Sequence, residues 1–289
     1  MNTLAFKELD KNISFLSPLD IPEQKKSKFK IEREVLKSGS EITVVSLRNT
    51  FMMGVRPTKF ILDGDRIVHK LVERKTGGTL MSDCPQEIFL HNTGIQNARG
   101  NVLIGGLGLG YIASMLARKK EVESITVVEI EKEIIEMVEP YIIKNFNPRR
   151  INIVKADLFD YLKSGKAKFD YAYFDIWYGT NESTWLDYVV PLRILIWKKY
   201  GNKFVDCWGE QEMESQIVQS IYTTWMMCKN NLENILNCNW KPREVIANKL
   251  IELKKRMTIT KKTLDNMAYN MTYNVGSPAW LSYWNWNKY

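Results

Sequence analysis

The sequence predicts an α/β protein built on a doubly wound, mostly parallel sheet, with a small β domain before the sheet and a helical extension after it. From residue 100 onward, buried strand-like runs alternate with helix-like segments, which is typical of a parallel sheet with covering helices. Before that point, β-branched and aromatic residues come in short runs separated by turn-forming residues. Beyond residue 211 the pattern is mostly helical.

The composition is that of a folded globular protein. The chain has 289 residues, of which 45% are hydrophobic and 26% charged, so disordered and collagen-like chains are excluded. No apolar run approaches the ~20 residues that a membrane helix needs, and residues 1–17 lack the pattern of a secretory leader. We therefore expect a cytoplasmic protein without a membrane partner.

Residues 1–80 are predicted to form the small β domain. Turn-forming triplets such as Ser38-Gly39-Ser40 separate its apolar runs, which favours an antiparallel sheet. Its strands are expected at residues 41–47, 59–62 and 66–72. A short helix is expected at 85–91, since Pro85 suits the first turn of a helix.

Residues 81–210 are predicted to form the parallel-sheet domain, and residues 211–289 the helical extension. The strands of the sheet are expected at residues 101–105, 124–130, 151–154, 169–175 and 203–206. The helices between them are expected at residues 111–118, 132–144, 158–161 and 188–199.

The strongest motif is the glycine-rich run from Ile104 to Gly110, where a buried strand gives way to a helix. Glycine suits this position because the backbone must turn tightly and can then approach a ligand closely. Glu129 stands at the end of the following strand, where a carboxylate can accept hydrogen bonds from both ribose hydroxyls. The pattern predicts a nucleoside-binding site. The alternative is that the glycines only permit close packing of helix on strand.

Two further acids are expected at the same edge of the sheet. Asp157 follows the third strand, where it could take the exocyclic amine of an adenine or simply cap the next helix. Asp175 ends the fourth strand and is expected to point into the crevice where ligands of open α/β sheets bind.

These motifs together resemble the Rossmann-like class I S-adenosylmethionine-dependent methyltransferase fold, and within it the spermidine-synthase-like branch. Pro85-Gln86-Glu87-Ile88 is similar to the Tyr-Gln-Glu-hydrophobic motif that precedes the glycine loop in that branch. Met81-Ser82-Asp83, followed by the glycine run, also resembles small bacteriophage-type methyltransferase-like proteins. The other matching segments are 102–110, 121–130, 155–157 and 169–175.

The resemblance implies S-adenosylmethionine as cofactor, S-adenosylhomocysteine as product, and no metal. It implies the following cofactor-binding residues: Gly105, Gly106, Gly108, Gly110, Glu129, Ile130, Asp157, Leu158 and Asp175. It also implies that Asp175 is the catalytic base, with Gln86 and Tyr178 beside the reacting groups. Asp175-Ile176-Trp177-Tyr178 further resembles, without its two prolines, the motif with which other methyltransferases engage the exocyclic amine of a flipped base.

The sequence departs from true spermidine synthases at three positions. Gly108 replaces the acid of their glycine loop, Tyr178 replaces a second acid after strand four, and Pro85 replaces a tyrosine. Methyl transfer to an unidentified, small-molecule acceptor is therefore predicted ahead of aminopropyl transfer. A non-catalytic binding protein on the same fold is the third hypothesis.

The charge pattern leaves a second kind of partner open. The formal net charge is +8, and residues 241–262 hold eight of the basic side chains. This stretch is interpreted as the solvated face of a helix, with nucleic-acid binding as the alternative. Self-association is also left open. Four scattered cysteines and two histidines give no metal-binding spacing.

Overall fold

The computed structural model describes residues 4–5, 17–43, 59–147, 149–237 and 241–284. The chain folds into two compact units, of which the first comprises Met1–Tyr178 with Lys203–Trp208 and the second Gly179–Asn202 with Gly209–Tyr289. The predicted boundary at residue 80 has no counterpart in this division. The three-domain scheme therefore stays a prediction.

In the described part of the chain, seven short strands precede the parallel sheet. They are β1 (Leu4–Ala5), β2 (Gln24–Lys25), β3 (Phe29–Leu36), β4 (Glu41–Thr43), β5 (Lys59–Ile61), β6 (Arg66–Glu73) and β7 (Thr79–Ser82). Strands β2-β3-β6-β7 form an antiparallel sheet, as predicted for this region. Strands β1-β5-β4 form a second sheet, in which β1 pairs parallel with β5.

Strand β3 is absent from the strands that the sequence predicts, although it pairs with β6 along its whole length. Phe29 and Ile31 are buried on one face, whereas charged residues at Lys30 and Glu32 follow them on the other. This alternation is the signal that identifies a half-buried strand. Residues 44–47, which are predicted to continue β4, lie outside the described residues.

The first unit also contains a five-stranded sheet in which every pair is parallel. Its strands are β8 (Gly100–Gly105), β9 (Val122–Glu129), β10 (Ile151–Lys155), β11 (Tyr171–Phe174) and β12 (Phe204–Cys207). The spatial order is β10-β9-β8-β11-β12. The chain moves outward from β8 to β10 and then crosses to β11, so the strand order reverses beside β8. This confirms the predicted fold class, and ligands of such sheets bind where the order reverses.

The helices of the described residues alternate with these strands and then dominate the C-terminal part. They are α1 (Pro85–Asn97), α2 (Tyr111–Ala117), α3 (Lys132–Asn145), α4 (Leu158–Lys163), α5 (Glu182–Thr184), α6 (Val190–Tyr200), α7 (Glu210–Cys228), α8 (Lys241–Arg256), α9 (Lys261–Thr272) and α10 (Pro278–Trp284). A π-helical turn at Trp185–Val189 joins α5 to α6, and a 3₁₀ turn at Leu232–Asn237 precedes α8. None of these helices has the length and apolar character that crossing a membrane requires.

Helix α1 runs six residues beyond its predicted end. Its buried residues Ile88, His91 and Gly94 recur every three positions, so one face stays against the core. Gly94 lies inside this helix, where its lack of a side chain lets the backbone approach the Tyr173 ring. A Cβ at this position would lie 2.2 Å from Tyr173 Cε2. Just before α1, Asp83 accepts hydrogen bonds from the His69 backbone N–H and Nδ1, at 2.5 and 2.6 Å, and so ties α1 to β6.

In the turn after β8, other parts of the protein fill the space beside the glycines. Gly106, Gly108 and Gly110 all have positive φ, at 91°, 50° and 74°. A Cβ on Gly106 would lie 2.1 Å from the Asp175 carbonyl oxygen, and one on Gly108 would lie 2.1 Å from Met81 Sδ. Close packing of the turn therefore explains why these positions require glycine, whether or not a ligand also approaches them.

We expect Gly106→Ala to lower the free energy of unfolding by about 3 kcal/mol or more, because it combines an unfavourable φ with a collision against backbone. The matched control is Gly165→Ala, since Gly165 also has positive φ, at 71°, but has no atom within 4 Å of its Cβ position. The free energy of unfolding of that control is expected to fall by only about 1 kcal/mol. Urea unfolding of the two variants measures the difference, and equal losses would show that the contact with Asp175 is not tight.

Candidate functional site

The carboxyl ends of the parallel strands bring the glycine turn and two acids together. The turn follows β8, Glu129 is the last residue of β9, and Asp175 directly follows β11. Because β9 and β11 are the two neighbours of β8, these acids flank the turn from opposite sides. Asp157 follows β10, which lies one strand further out.

Glu129 is fixed in the turn by backbone donors. It is only 6% exposed, and its Oε2 accepts a hydrogen bond from Leu107 N at 2.8 Å while Oε1 accepts one from Glu131 N at 2.8 Å. Burial raises the pKa of this carboxyl, against the opposing effect of those amides. A carboxylate has about four acceptor sites, so Glu129 has capacity for further hydrogen bonds beyond these two.

Asp175 presents a carboxyl group that forms no hydrogen bond within the described part of the chain. Its backbone is held firmly, because Asp175 N donates to Gly105 O at 2.9 Å. Burial among protein atoms, together with the nearby charge of Glu87, raises the pKa of this carboxyl well above its usual range, although the residue as a whole is only partly buried. A carboxyl in this state is a stronger base than an exposed one and is stabilised by a cationic or hydrogen-bond-donating partner.

Glu87 is a further acid near this edge, and the sequence analysis did not predict it as a site residue. It lies in the first turn of α1, and its Oε2 accepts hydrogen bonds from Ser82 N at 2.7 Å and Ser82 Oγ at 2.6 Å. Burial, with a smaller contribution from Asp83, raises the pKa of Glu87 to about 7. In the sequence, Glu87 could have been identified from its place directly after Gln86, a predicted site residue. Gln86 itself is partly exposed in the same turn of α1.

The remaining predicted residues are spread along the same edge. Tyr178 and Ile130 are 78% and 58% exposed, respectively. Leu158 is buried and packs at the position that a Cβ on Gly105 would occupy. Asp157 caps α4, because its Oδ1 accepts a hydrogen bond from Asp160 N at 3.0 Å, which is the helix-cap alternative considered above. A contact between Asp157 and an adenine stays a prediction.

The basic stretch at residues 241–262 forms α8 and the start of α9, and one of its lysines is buried. Lys249 is 6% exposed, its Nζ donates to Glu252 Oε2 at 3.1 Å, and it lies 4.0 Å from the centre of the Tyr283 ring. Lys254 Nζ donates to the Lys229 carbonyl oxygen at 2.9 Å. Lys249 therefore does not add to an exposed basic surface, whereas Lys254 stays exposed and charged. A nucleic-acid partner stays an untested alternative.

Two aromatic residues near the C-terminus are buried by packing. Trp280 and Trp284 are each 3% exposed, and their indole N–H groups donate to Met271 O and Asn270 O at 3.2 and 2.9 Å. Trp286 and Tyr289 lie outside the described residues. Among the described side chains, no three His, Cys, Asp or Glu residues lie close enough to hold a metal ion.

Part of the chain matches a known family. A model described as the spermine/spermidine synthase domain matches residues 84–185, a range that holds α1, the glycine turn, Glu129 and Asp175. The chain is thus similar to a transferase domain of the spermidine-synthase type over less than half of its length. The likeness to bacteriophage-type proteins stays an expectation. A search of curated protein sequences finds no match.

Solved structures with a weakly similar fold include both kinds of transferase. Spermidine synthase from Thermotoga maritima is 19% identical, with a TM-score of 0.34 over 46% of this chain and 46% of its own. A methyltransferase from Podospora anserina, solved with S-adenosylhomocysteine bound, is 17% identical, with a TM-score of 0.36 over 61% of this chain and 71% of its own. A dimethyladenosine transferase from Plasmodium falciparum is 16% identical, with a TM-score of 0.28 over 52% of this chain and 44% of its own. The match thus spans less than half of the synthase.

The raised pKa of Glu87 predicts a pH dependence of stability. Between its ordinary value of 4.5 and about 7, the folded protein binds more protons at this group than the unfolded chain does. The contribution of protonated Glu87 to the free energy of unfolding is therefore complete below pH 4.5 and is lost as the pH rises to about 7. The glutamine of Glu87→Gln stays neutral at every pH. We therefore expect the free energy of unfolding of the variant to rise by up to about 3 kcal/mol relative to that of the wild type as the pH goes from 4.5 to 8.

The measurement is urea unfolding of both proteins across this pH range. The result is the free energy of unfolding of Glu87→Gln minus that of the wild type at each pH. The difference is needed because burial lowers the pKa of His91 to about 3, which makes stability rise with pH up to about 6.5 in both proteins. Glu123→Gln, at an exposed position of β9, is the control for the loss of one acidic side chain. Parallel curves for Glu87→Gln and the wild type would contradict the proposed burial of this charge.

Proposed function

We propose that this protein binds S-adenosylmethionine at the carboxyl edge of its parallel sheet and transfers the methyl group to an acceptor, with release of S-adenosylhomocysteine. The observation that carries the proposal is the pair of desolvated carboxyl groups, Glu129 and Asp175, on either side of the glycine turn. One is fixed by backbone amides, and the other has no hydrogen-bond donor within the described residues.

Two features of this edge fit an S-adenosyl cofactor. Glu129 keeps lone pairs free after accepting the Leu107 and Glu131 amides, so it can also accept the two ribose hydroxyls. Asp175 lies beside the turn with an unpaired carboxyl, and a positively charged or proton-bearing ligand would relieve its unfavourable burial.

One feature departs from the cradle that the resemblance implies. The space beside Gly108 is filled by Met81, whose Sδ accepts a hydrogen bond from Leu109 N at 3.3 Å. That amide is therefore satisfied by protein. The methionine part of a cofactor at this turn would meet the Met81 side chain as well as glycine backbone.

The chemistry assigned to this chain is proton transfer and alignment. S-adenosylmethionine supplies a methyl group on a positively charged sulfur, and that charge is lost as the methyl moves in line to a nucleophile. Asp175 would accept the proton that an amine or hydroxyl nucleophile must lose, and the neighbouring charge of Glu87 increases its basicity. The turn and the strand ends would hold the reacting groups in line, and such alignment supplies much of the rate in a displacement of this kind.

Aminopropyl transfer is the second candidate, because the matching family model is that of spermine and spermidine synthases. Against it stand Gly108 and Tyr178, which occupy positions where true synthases carry acids, as the resemblance implies. A non-catalytic binding protein is the third candidate. Product analysis separates them: S-adenosylhomocysteine indicates methyl transfer, methylthioadenosine indicates aminopropyl transfer, and neither indicates binding alone.

The first experiment is isothermal titration with S-adenosylmethionine and with decarboxylated S-adenosylmethionine. We expect the carboxylated form to bind more tightly to the wild type, and Glu129→Gln to weaken it at least tenfold, because one ribose acceptor is lost. Asp175→Asn should still bind the cofactor, less tightly than the wild type because a buried acid beside the ligand is lost, and should lose turnover because Asp175 is assigned as the base. Glu123→Gln, at an exposed position of β9, is the matched control and should bind as the wild type does.

Each alternative has its own outcome in that titration. Preference for the decarboxylated form would replace methyl transfer by aminopropyl transfer. Binding of neither form by a folded wild-type protein would refute the proposed cofactor. Unchanged affinity in a folded Glu129→Gln variant would remove Glu129 from the cofactor site.

A further inference from the structure

A cavity of about 490 Å³ opens beside the proposed cofactor site, entirely within the first unit. Two of its lining residues, Glu131 and Tyr178, follow β9 and β11, the strands on either side of β8 and its glycine turn. The rest of its lining comes from two turns of the antiparallel sheet, at residues 27–29 and 73–75. The cavity thus lies where a second substrate could reach the edge of the parallel sheet.

The cavity carries an excess of positive charge. Lys28 and Glu131 neutralise each other, with Nζ 3.1 Å from Oε2. Glu73 is the other acid of the lining, and Thr76 Oγ1 donates to its Oε2 at 2.7 Å. Arg74 and Lys75 pair with no carboxylate in the described part of the chain.

Arg74 is held in position without losing its charge. Its Nη1 donates to the carbonyl oxygens of Lys26 and Ser27, both at 2.7 Å, so the guanidinium is anchored to the β2–β3 turn. Carbonyl oxygens orient a guanidinium but do not neutralise it. The unused N–H groups of a fixed guanidinium suit a phosphate or carboxylate, which they can bind with two parallel hydrogen bonds.

Tyr178 gives the same cavity an aromatic wall. Its side chain is among the most exposed of the large hydrophobic residues, at 78%, although it follows the buried end of β11. An exposed aromatic ring beside a cationic group suits a ligand that is planar at one end and anionic at the other.

We infer that this cavity binds the acceptor, and that it selects an acceptor with a planar ring and a phosphate or carboxylate group in preference to a diamine. The inference deepens the proposed function and rests on it for the identity of the bound molecule as the methyl acceptor. The preference for an anion rests separately on Arg74 and Lys75. A diamine would instead meet two cations, Arg74 and Lys75, against a single acid, Glu73, that has no cationic partner among the described residues.

The test uses small probes titrated into the full chain with saturating S-adenosylhomocysteine. Phenyl phosphate and benzoate distinguish the two anionic groups, and butane-1,4-diamine represents the diamine. We expect at least one anion to bind and the diamine not to bind. The variant Arg74→Gln/Lys75→Gln should weaken the anion at least tenfold, whereas Lys168→Gln, an exposed lysine at the opposite edge of the sheet, should leave it unchanged.

Several outcomes would overturn the inference. These are binding of the diamine in preference to both anions, no binding of either anion, and equal anion affinity in the variant and the wild type. A variant that loses affinity for S-adenosylhomocysteine would show that the cavity belongs to the cofactor site. If the double variant does not fold, Lys75→Gln alone carries the test, because Lys75 contacts no described side chain by hydrogen bond or ion pair.

Failure of the proposed function is distinguishable from failure of this inference. If S-adenosylhomocysteine does not bind to the wild type, the proposed function fails. The same probes are then titrated without it. Anion binding that depends on Arg74 and Lys75 would survive in that case, since no residue of the glycine turn lines the cavity.

Discussion

The close approach of Gly106 to the carbonyl oxygen of Asp175 is the constraint on which the candidate site depends. A side chain at residue 106 would have to occupy space only 2.1 Å from that oxygen, so the two loops can meet only where glycine lies. This contact sets the turn after β8 against the end of β11. Asp175 is thereby brought to one side of the turn, while the parallel pairing of β8 with β9 brings Glu129 to the other.

The site and the neighbouring cavity have opposite electrostatic character. Glu129, Asp175 and Glu87 are acids that burial makes harder to ionise, which favours cationic or proton-donating ligands at the sheet edge. Arg74 and Lys75, in the cavity beside it, favour an anionic group. A cationic cofactor and an anionic acceptor would satisfy both requirements at once. This complementarity links the proposed methyl transfer to a class of acceptor.

The sequence predicted the fold class and which residues follow each parallel strand. Both could be predicted because buried strands, glycine turns and acids after strands are local patterns. The contents of the site were harder to predict. The burial of Glu87 depends on how α1 packs, and the filling of the space beside Gly108 depends on Met81, 27 residues away. Similarly, the split of the N-terminal strands into two sheets reflects long-range pairing, which a local pattern does not contain.

Crystallography of the protein with S-adenosylhomocysteine tests the central claim most directly. We predict a nucleoside at the carboxyl edge of the sheet, with the ribose hydroxyls within hydrogen-bond distance of the Glu129 carboxylate and the sulfur facing Asp175. A nucleoside bound elsewhere, with Glu129 contacting only the Leu107 and Glu131 amides, would contradict it.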